Sequence, residues 1–364
     1  MSLSVLDPTM VIYHGGCPDG TGAAWVMHHA FNRVGQDGSE SVQFHAAAYN
    51  RDPPDVAGHT VAILDFSYAP DVLRRMAESA KLIILIDHHE SALKGLQSLI
   101  DTPLSNLIIQ FDMTRSGAQM AWDWVYPTTT ALIQAQLQLA ARLDIADHHR
   151  QLIDRTSAIL DSPSLIDASE VKRPWFIETI GDRDLWKWSY EWSRDVSQGL
   201  FALGLTKRME DLSPLFAETL DQAKSKYGMV GKPFNDKLDR DVTFHVGKTL
   251  VCEPKTPDGQ SYRVGLSNAP WELRSEVGNA ICKALAVQFS ICWMYNFETD
   301  EWYLSFRGID GSPNLHPIAK HFAGGGHPKA SGGTIFGKRA QPAEGRRIGE
   351  TLETFLTVLP RVEE

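Results

Sequence analysis

Acidic residues and histidines stand directly after three short apolar segments near the start of the chain. They are His14 in VIYHGG (11–16), Asp65 in VAILDFS (61–67), and Asp87, His88 and His89 in LIILIDHHES (82–91). Carboxylates and imidazoles bind divalent cations, and two cations about 3.5–4 Å apart need a carboxylate that bridges them. A single aspartate at a strand end is more often a helix cap or a turn residue. The coincidence of three such ends is what predicts a metal site.

The elements that position these residues follow from the same segments. The three runs, and a fourth in NLIIQFDMTRSG (106–117), are rich in Ile, Val and Leu without alternation, which is typical of strands buried on both faces. Helices are predicted between them at 21–33, 70–80 and 116–125. This order predicts an α/β fold with a doubly wound, mainly parallel sheet, in which ligands bind beyond the carboxyl ends of the strands.

The remainder of the chain predicts further helices and a second, smaller α/β domain. Residues 129–160 have apolar positions at helical spacing, and 209–240 is predicted as a helix followed by a break at its glycine and proline. The elements predicted beyond it are strands at 243–252 and 261–267, helices at 273–286 and 315–322, and a hairpin at 288–307 turning near Thr299 and Asp300. The expected organisation is a metal-binding domain at 1–208, a helical linker at 209–240 and a substrate-binding domain at 241–364.

The amino-acid composition limits the kinds of molecule that the chain is expected to bind. The net charge of −10 and the pI near 5.7 argue against a broad basic surface for long duplex nucleic acid, and favour a short anionic substrate. Four cysteines without a CxxC pair fit neither a disulfide framework nor a structural zinc site. The first residues lack a basic segment followed by an apolar core, and no run is long enough to span a membrane. We expect a cytoplasmic protein without a membrane partner.

Six segments, in chain order, resemble the DHH phosphoesterases with their companion DHHA1 domain. They are HGGCPDGTGAAW (14–25), ILDFS (63–67), LIDHHES (85–91), FDMTRSGA (111–118), GDRDLW (181–186) and HFAGGGHPKASGG (321–333). The resemblance covers nearly the whole chain, and the ordered set is far more specific than any one triplet. A second triplet, Asp147-His148-His149, has no strand before it and is interpreted as a solvated helix face.

The resemblance implies a metal-dependent phosphohydrolase with two ions, Mn²⁺ as first choice and Mg²⁺ as second. The implied metal ligands are His14, Asp19, Asp65 as the bridge, His88, and Asp182 with Asp184 as the alternative. Asp87 would orient a neighbouring ligand, and His89 would face the scissile phosphate. A metal-activated water would then be the nucleophile, so no serine or cysteine nucleophile is required.

The first of these segments departs from the family pattern. The family has His, three residues, Asp, one residue and Asp, whereas here Cys17 and Asp19 follow His14 at a spacing shorter by one. The first metal site could therefore be weaker or softer in its metal preference. Two interpretations of Cys17 stay open: a metal ligand, or a small buried thiol in a tight turn.

Substrate-binding residues are predicted in both domains. The glycine-rich segment Gly324, Gly325, Gly326 and His327 allows backbone N–H groups to approach an anion closely, although glycine also favours a helix end and turn. Arg307 would bind a phosphate or a base, and Arg115 and Ser116 are weaker candidates. Trp186, Trp188 and Trp192 lie close in sequence; they suit core packing better than stacking on a nucleobase.

The sequence thus predicts hydrolysis of a small phosphate ester, such as a short oligonucleotide or a nucleotide phosphodiester or monoester. Two alternatives remain: an exopolyphosphatase-like enzyme, and a protein that binds or senses nucleotides without hydrolysis because Cys17 disables the first metal site. The exact substrate, the pathway and the oligomeric state are left open.

Overall fold

The apolar segments near the N-terminus form one parallel sheet. The computed structural model describes residues 7–31, 42–49, 51–142, 148–168, 171–254 and 261–336. The strands of this sheet are β1 (Met10–His14), β2 (Gln43–Ala47), β3 (Thr60–Leu64), β4 (Leu82–Asp87) and β5 (Leu107–Phe111). They are all parallel, in the order β2-β1-β3-β4-β5. The predicted doubly wound, mainly parallel sheet is confirmed.

Residues of the central strands alternate between two apolar cores, one on each face of the sheet. Ala62 and Leu64 enter the first core, while Val61 and Ile63 enter the second. Every residue of β3 and β4 is buried. Burial on both faces explains why these segments are uninterrupted apolar runs rather than alternating ones.

Helices cover both faces of this sheet. Those that follow the first strands are α1 (Pro18–Phe31), α2 (Pro70–Ser79), α3 (Glu90–Gly95), α4 (Gln97–Asp101) and α5 (Gly117–Val125). The later ones are α6 (Thr130–Arg142), α7 (His148–Ser157), α8 (Trp175–Asp184) and α9 (Ser193–Ala202), with the two-stranded hairpin β6 (Leu165–Ala168) and β7 (Val171–Pro174) before α8. The predicted helices at 70–80 and 116–125 are confirmed, as is the one at 21–33 up to Phe31; residues 32 and 33 lie outside the described residues. This helix begins earlier than predicted, at Pro18, since proline suits the first turn of a helix.

The segment predicted as a linker packs largely against the first unit. It contains α10 (Met209–Leu212), a 3₁₀ turn (Ser213–Ala217), α11 (Leu220–Ala223), a π-helical turn (Lys224–Gly228) and α12 (Met229–Gly247). Leu212, Leu215 and Tyr227 are buried in the first core. The chain divides into two compact units, Met1–Asn235 and Asp236–Glu364, so the division lies inside α12.

Two local predictions in this region are wrong. Pro233 does not break the chain but is the fifth residue of α12, which follows the π-helical turn. The strand predicted at 243–252 is helical up to Gly247, and only Leu250–Cys252 is extended.

The described part of the second unit contains a six-stranded mixed sheet and, besides the end of α12, two helices. Its strands are β8 (Leu250–Cys252), β9 (Val264–Asn268), β10 (Phe289–Asn296), β11 (Glu301–Arg307), β12 (Gly325–His327) and β13 (Ala330–Phe336), in the order β12-β13-β11-β10-β9-β8. Its helices are α13 (Arg274–Leu285) and α14 (Leu315–His321), with a 3₁₀ turn at Trp271–Leu273. The predicted helices at 273–286 and 315–322 and the hairpin at 288–307 are confirmed, as is a second, smaller α/β unit.

The second Asp-His-His triplet is partly described. His148 and His149 begin α7, as the helical spacing predicted, and Asp147 lies outside the described residues. Of the helices in the described ranges, none is both long and apolar enough to cross a membrane.

Candidate metal centre

The candidate residues meet where the strand order of the sheet reverses. β1 pairs with β2 on one side and with β3 on the other. The chain runs from β1 outward to β2 on the first side, and the later strands β3, β4 and β5 follow in order on the second side. His14 ends β1 and Asp65 follows β3, which places both at the crevice where ligands of such sheets bind. Asp65 has a left-handed backbone (φ 53°), uncommon outside glycine, and its N–H donates to Ile86 O at 2.9 Å.

Asp65 lies between two histidines, with one carboxylate oxygen toward each. Its Oδ1 is 3.0 Å from His88 Nε2, and its Oδ2 is 3.4 Å from His14 Nδ1. His88 Nε2 is also 3.5 Å from Asp19 Oδ2 and 3.5 Å from Asp184 Oδ2. A carboxylate that presents separate oxygens to two groups of donors has the arrangement required to bridge two cations.

Two buried atoms of this cluster lack hydrogen-bond partners in the part of the chain that the structure describes. They are His14 Nδ1 and Asp65 Oδ2, and buried polar atoms of this kind are rare unless something else satisfies them. The donor sets His14-Cys17-Asp65 and Asp19-His88-Asp184 each have ligand atoms within 4.8 Å of one another. Oxygen and imidazole donors at this spacing fit a divalent cation such as Mn²⁺ or Mg²⁺.

Charge in the cluster is dominated by carboxylates. Burial alone would lower the pKa of His88, but its hydrogen bond with Asp65 and the charges of Asp19 and Asp184 raise it to about 9. Burial and the neighbouring Asp65 and Asp184 charges hold the pKa of Asp19 well above its usual value. Protonated His88 thus supplies positive charge next to these acidic groups, and a bound cation can supply it instead.

Asp19 is held in place by the first turn of α5. Its Oδ2 accepts from Gly117 N–H at 2.6 Å, and its Oδ1 accepts from Ala118 N–H at 3.0 Å. Free N–H groups at a helix N-terminus favour a negative charge. They therefore stabilise the Asp19 carboxylate and fix its direction toward His88.

Gly117 is part of the site although the sequence analysis did not single it out. A Cβ built on it would lie 2.6 Å from Asp65 Cβ and 3.1 Å from Asp19 Oδ2. Only glycine therefore fits between these two carboxylates without a shift. The signal that could have found it is its place directly after Ser116, which caps α5.

Asp87 orients both the DHH backbone and the His89 ring. It is fully buried; its Oδ1 accepts from His88 N–H at 2.7 Å and from His89 Nδ1 at 2.6 Å, while its Oδ2 accepts from Ser67 Oγ at 2.5 Å. Burial would lower the pKa of His89, but the hydrogen bond and charge of Asp87 raise it. Asp87 therefore favours the protonated, positively charged form of this imidazole beside the cluster.

The structure places Asp184, the alternative, rather than Asp182 beside His88. The buried Asp182 carboxylate instead accepts from Ser189 N–H at 2.8 Å and from Ser193 Oγ. Asp182 and Asp184 are two residues apart on α8, which separates them by about 200° around the helix axis. Only one of the two aspartates can therefore face the cluster. Asp182 anchors the loop after α8.

The ordered segments, the doubly wound sheet and the cluster at its switch point coincide in this chain. Together they are similar to the arrangement of the DHH superfamily. No family model matches this chain. A curated relative, the uncharacterised protein R106 of Acanthamoeba polyphaga mimivirus, is 22% identical over 342 residues, which are 89% of this chain and 66% of that protein.

Similar solved structures come from several bacteria. They include the pGpG-specific phosphodiesterase PggH of Vibrio cholerae (13% identity, 95% of this chain and 97% of that chain, TM-score 0.41), an exopolyphosphatase-related protein of Bacteroides fragilis (15%, 95% and 90%, 0.43) and RecJ of Thermus thermophilus in complex with Mn²⁺ (15%, 96% and 52%, 0.45). With TM-scores below 0.5, these likenesses carry no argument about the activity of this chain.

Cys17 occupies the place of an aspartate in the DHH pattern. Its carbonyl accepts from Thr21 N–H at 3.0 Å in the first turn of α1, while its Sγ belongs to the donor group with His14 and Asp65. Burial, with the nearby Asp65 charge, raises the pKa of the thiol to about 12. Without a cation the thiol is therefore protonated, and both interpretations of Cys17 remain compatible with its position.

Arg115 and Ser116, the weaker substrate-binding candidates, have structural partners. Arg115 donates to Asp112 Oδ2 at 2.7 Å and to Asp123 Oδ2 at 2.6 Å. Asp123 also accepts from the buried Arg173. Ser116 is buried and forms a capping box with Gln119 at the start of α5. These contacts hold the loop that leads into α5, of which Gly117 is the first residue.

The candidates of the second unit likewise have partners within that unit. Arg307 donates to Ser275 Oγ and to Phe306 O, both at 2.8 Å. The glycine segment forms the edge strand β12 against β13, and a Cβ on Gly324 would lie 1.8 Å from Gly332 O. Gly326 has φ 135° and accepts from His316 Nδ1 at 2.8 Å. Close strand packing is thus one reason for these glycines, and their predicted substrate contacts stay a prediction.

Proposed function

We propose that the chain is a metal-dependent phosphoesterase that hydrolyses a small nucleotide phosphodiester or monoester. The observation that carries this proposal is the position of Asp65, one oxygen toward His14 and the other toward His88, at the switch point of a parallel sheet. In this proposal His14, Asp19, Asp65, His88 and Asp184 hold two divalent cations, with Mn²⁺ preferred over Mg²⁺. Such cations supply Lewis-acid polarisation of a phosphoryl group and activation of water near neutral pH.

The residues of the chain have distinct roles in this mechanism. The N–H groups of Gly117 and Ala118 fix Asp19, so its oxygens do not have to reorganise when a substrate arrives. Asp87 holds Nδ1 of His89 and orients the ring, whose Nε2 would donate to a phosphoryl oxygen. Because Asp87 also supports the positive charge of His89, that donation becomes stronger as negative charge develops on the phosphate.

A panel of substrates tests the proposal. Release of nucleotide or phosphate would be measured for dinucleotides, 3′-phosphonucleotides, cyclic dinucleotides and polyphosphate, with Mn²⁺ and with EDTA. We expect turnover of at least one nucleotide substrate that disappears with EDTA and with Asp65→Ala. Asp71→Ala is the matched control, since this aspartate is exposed on α2 and should leave turnover unchanged.

Two results would overturn the proposal in different ways. Turnover of polyphosphate alone would replace the nucleotide substrate with an exopolyphosphatase-like one. Tight nucleotide binding without turnover, in folded protein saturated with Mn²⁺, would identify a sensing protein. The specific observation behind the second outcome is Cys17, a protonated thiol where the DHH pattern has a carboxylate.

A further inference from the structure

We infer that a cleft beside the metal centre binds one nucleobase of the substrate, with Trp186 and Phe201 as the residues that select for it. This inference rests on the proposed function, since it names the part of the substrate that lies next to the phosphate. The cleft has a volume of about 230 Å³ and lies wholly within the first unit.

The cleft and the metal centre share residues. Asp19 and Asp184 line the cleft and also lie 3.5 Å from His88 Nε2. The cleft therefore adjoins the metal centre, within reach of a group linked to a phosphate bound there. A volume of about 230 Å³ is below the roughly 300–1,000 Å³ of sites for drug-sized ligands, and so suits a single ring system.

The walls of the cleft are suited to a flat, neutral ring. Trp186, Leu200 and Phe201 supply aromatic and apolar surface, and the Arg183 guanidinium lies 5.5 Å from the centre of the Phe201 ring. Every nucleobase has a π-face that stacks on such side chains. A second phosphate would meet the Arg183 guanidinium but also apolar surface and the two carboxylates of Asp19 and Asp184, so a neutral ring is the better occupant.

Trp186 also occupies a backbone position that normally favours glycine. The N–H of Lys187 donates to Asp182 O and the N–H of Trp186 donates to Arg183 O, both at 3.0 Å, which are the two bonds of a Schellman helix end. The residue between them must be left-handed, and Trp186 has φ 55°. A bulky residue is an outlier here, and such strain is found where a side chain is needed for function.

Phe201 is the second aromatic residue of the cleft that a base could contact. It lies on α9, lines the cleft, and is 53% exposed, unlike the aromatic residues of the core. Its ring is therefore available to a ligand. Trp192 does not share this role, because it packs against the first core and stacks on Tyr190.

The test compares a dinucleotide with an analogue that lacks one base, in the wild type, Trp186→Gly and Phe201→Ala. Glycine keeps the left-handed backbone while removing the ring, so Trp186→Gly separates binding from folding. We expect each variant to raise KM for the dinucleotide by about 5- to 150-fold, the loss associated with one base stack, while the abasic analogue is hydrolysed as before. Phe234→Ala, which removes a ring that is 52% exposed on α12, should match the wild type.

The results separate this inference from the proposed function. Equal losses on both substrates, or no loss on either, would overturn the base-binding cleft while the wild-type turnover stands. If the wild type hydrolyses nothing with Mn²⁺, the proposed function fails, and equilibrium dialysis of a mononucleotide then decides. Weaker binding by Trp186→Gly and Phe201→Ala than by Phe234→Ala would support the cleft, and equal binding would overturn it.

Discussion

Gly117→Ala should separate metal affinity from overall stability. The new Cβ would lie 2.6 Å from Asp65 Cβ, whereas carbon atoms in contact are about 3.5–4.0 Å apart, so the two must separate by about 0.9 Å. Metal–ligand distances tolerate about 0.2 Å. Changes in groups that orient metal ligands reduce affinity by about 10- to 100-fold, which is about 1.4–2.7 kcal/mol, and we expect a loss in this range for Mn²⁺.

Stability should respond less than affinity in this variant. Alanine is about 1 kcal/mol more favourable than glycine within a helix, which offsets part of an overpacking cost of about 1–3 kcal/mol. The assay is calorimetric titration of Mn²⁺, with urea unfolding of the metal-free protein beside it. Gly95→Ala on α3 is the control, because no heavy atom of the described residues lies within 4 Å of its Cβ position. Wild-type Mn²⁺ affinity in Gly117→Ala would refute the argument that this glycine sets the distance between the two carboxylates.

Three further predictions follow from the same contacts. Asp184→Asn should weaken Mn²⁺ binding by at least about tenfold. Asp182→Ala should keep the Mn²⁺ affinity and lower the unfolding free energy by about 1–3 kcal/mol, because its hydrogen bonds are lost. Equal losses of Mn²⁺ affinity in the two variants would contradict the choice of Asp184 as the ligand. Arg173→Met should cost about 3–5 kcal/mol in urea unfolding because it removes a partner of the buried Asp123, and a cost below about 1 kcal/mol would show that this network is not structural. Mn²⁺ at 100 times its Kd should raise the unfolding free energy by about 2.7 kcal/mol, reversibly with EDTA; the same gain in Asp65→Ala would place the binding site elsewhere.

The strand-end part of the site could be predicted because topology alone determines it. Parallel strands bring their carboxyl ends to one edge, so His14, Asp65 and the Asp87 triplet had to lie near one another once the segments were identified as neighbouring strands. No knowledge of side-chain packing was required. The doubly wound class followed from the same uninterrupted apolar runs.

Two features could not be predicted in the same way: which residue of a helix faces the sheet, and where a helix ends. The sequence Asp182-Arg183-Asp184 does not reveal which aspartate faces the sheet, because Ser189 and Ser193, which bind Asp182, act through the fold of the following loop. Pro233 gave a break signal that the surrounding helix overrides. In each case the local structure depends on contacts with residues outside the short segment from which it was predicted.

Asp19 shows that a contact with a helix N-terminus and a place in the candidate metal cluster need not be alternatives. A single aspartate at a strand end, such as Asp65, is more often a cap or turn residue than a ligand, whereas Asp19 accepts from two N–H groups of α5 and also lies 3.5 Å from His88 Nε2. An ionised carboxylate has about four lone-pair sites, and the N–H groups of Gly117 and Ala118 use two of them. The remaining sites face His88, in a direction that the helix fixes. A cap of this kind is therefore a reason to expect a well-oriented ligand, and the glycine that permits it becomes as important to the centre as the carboxylate itself.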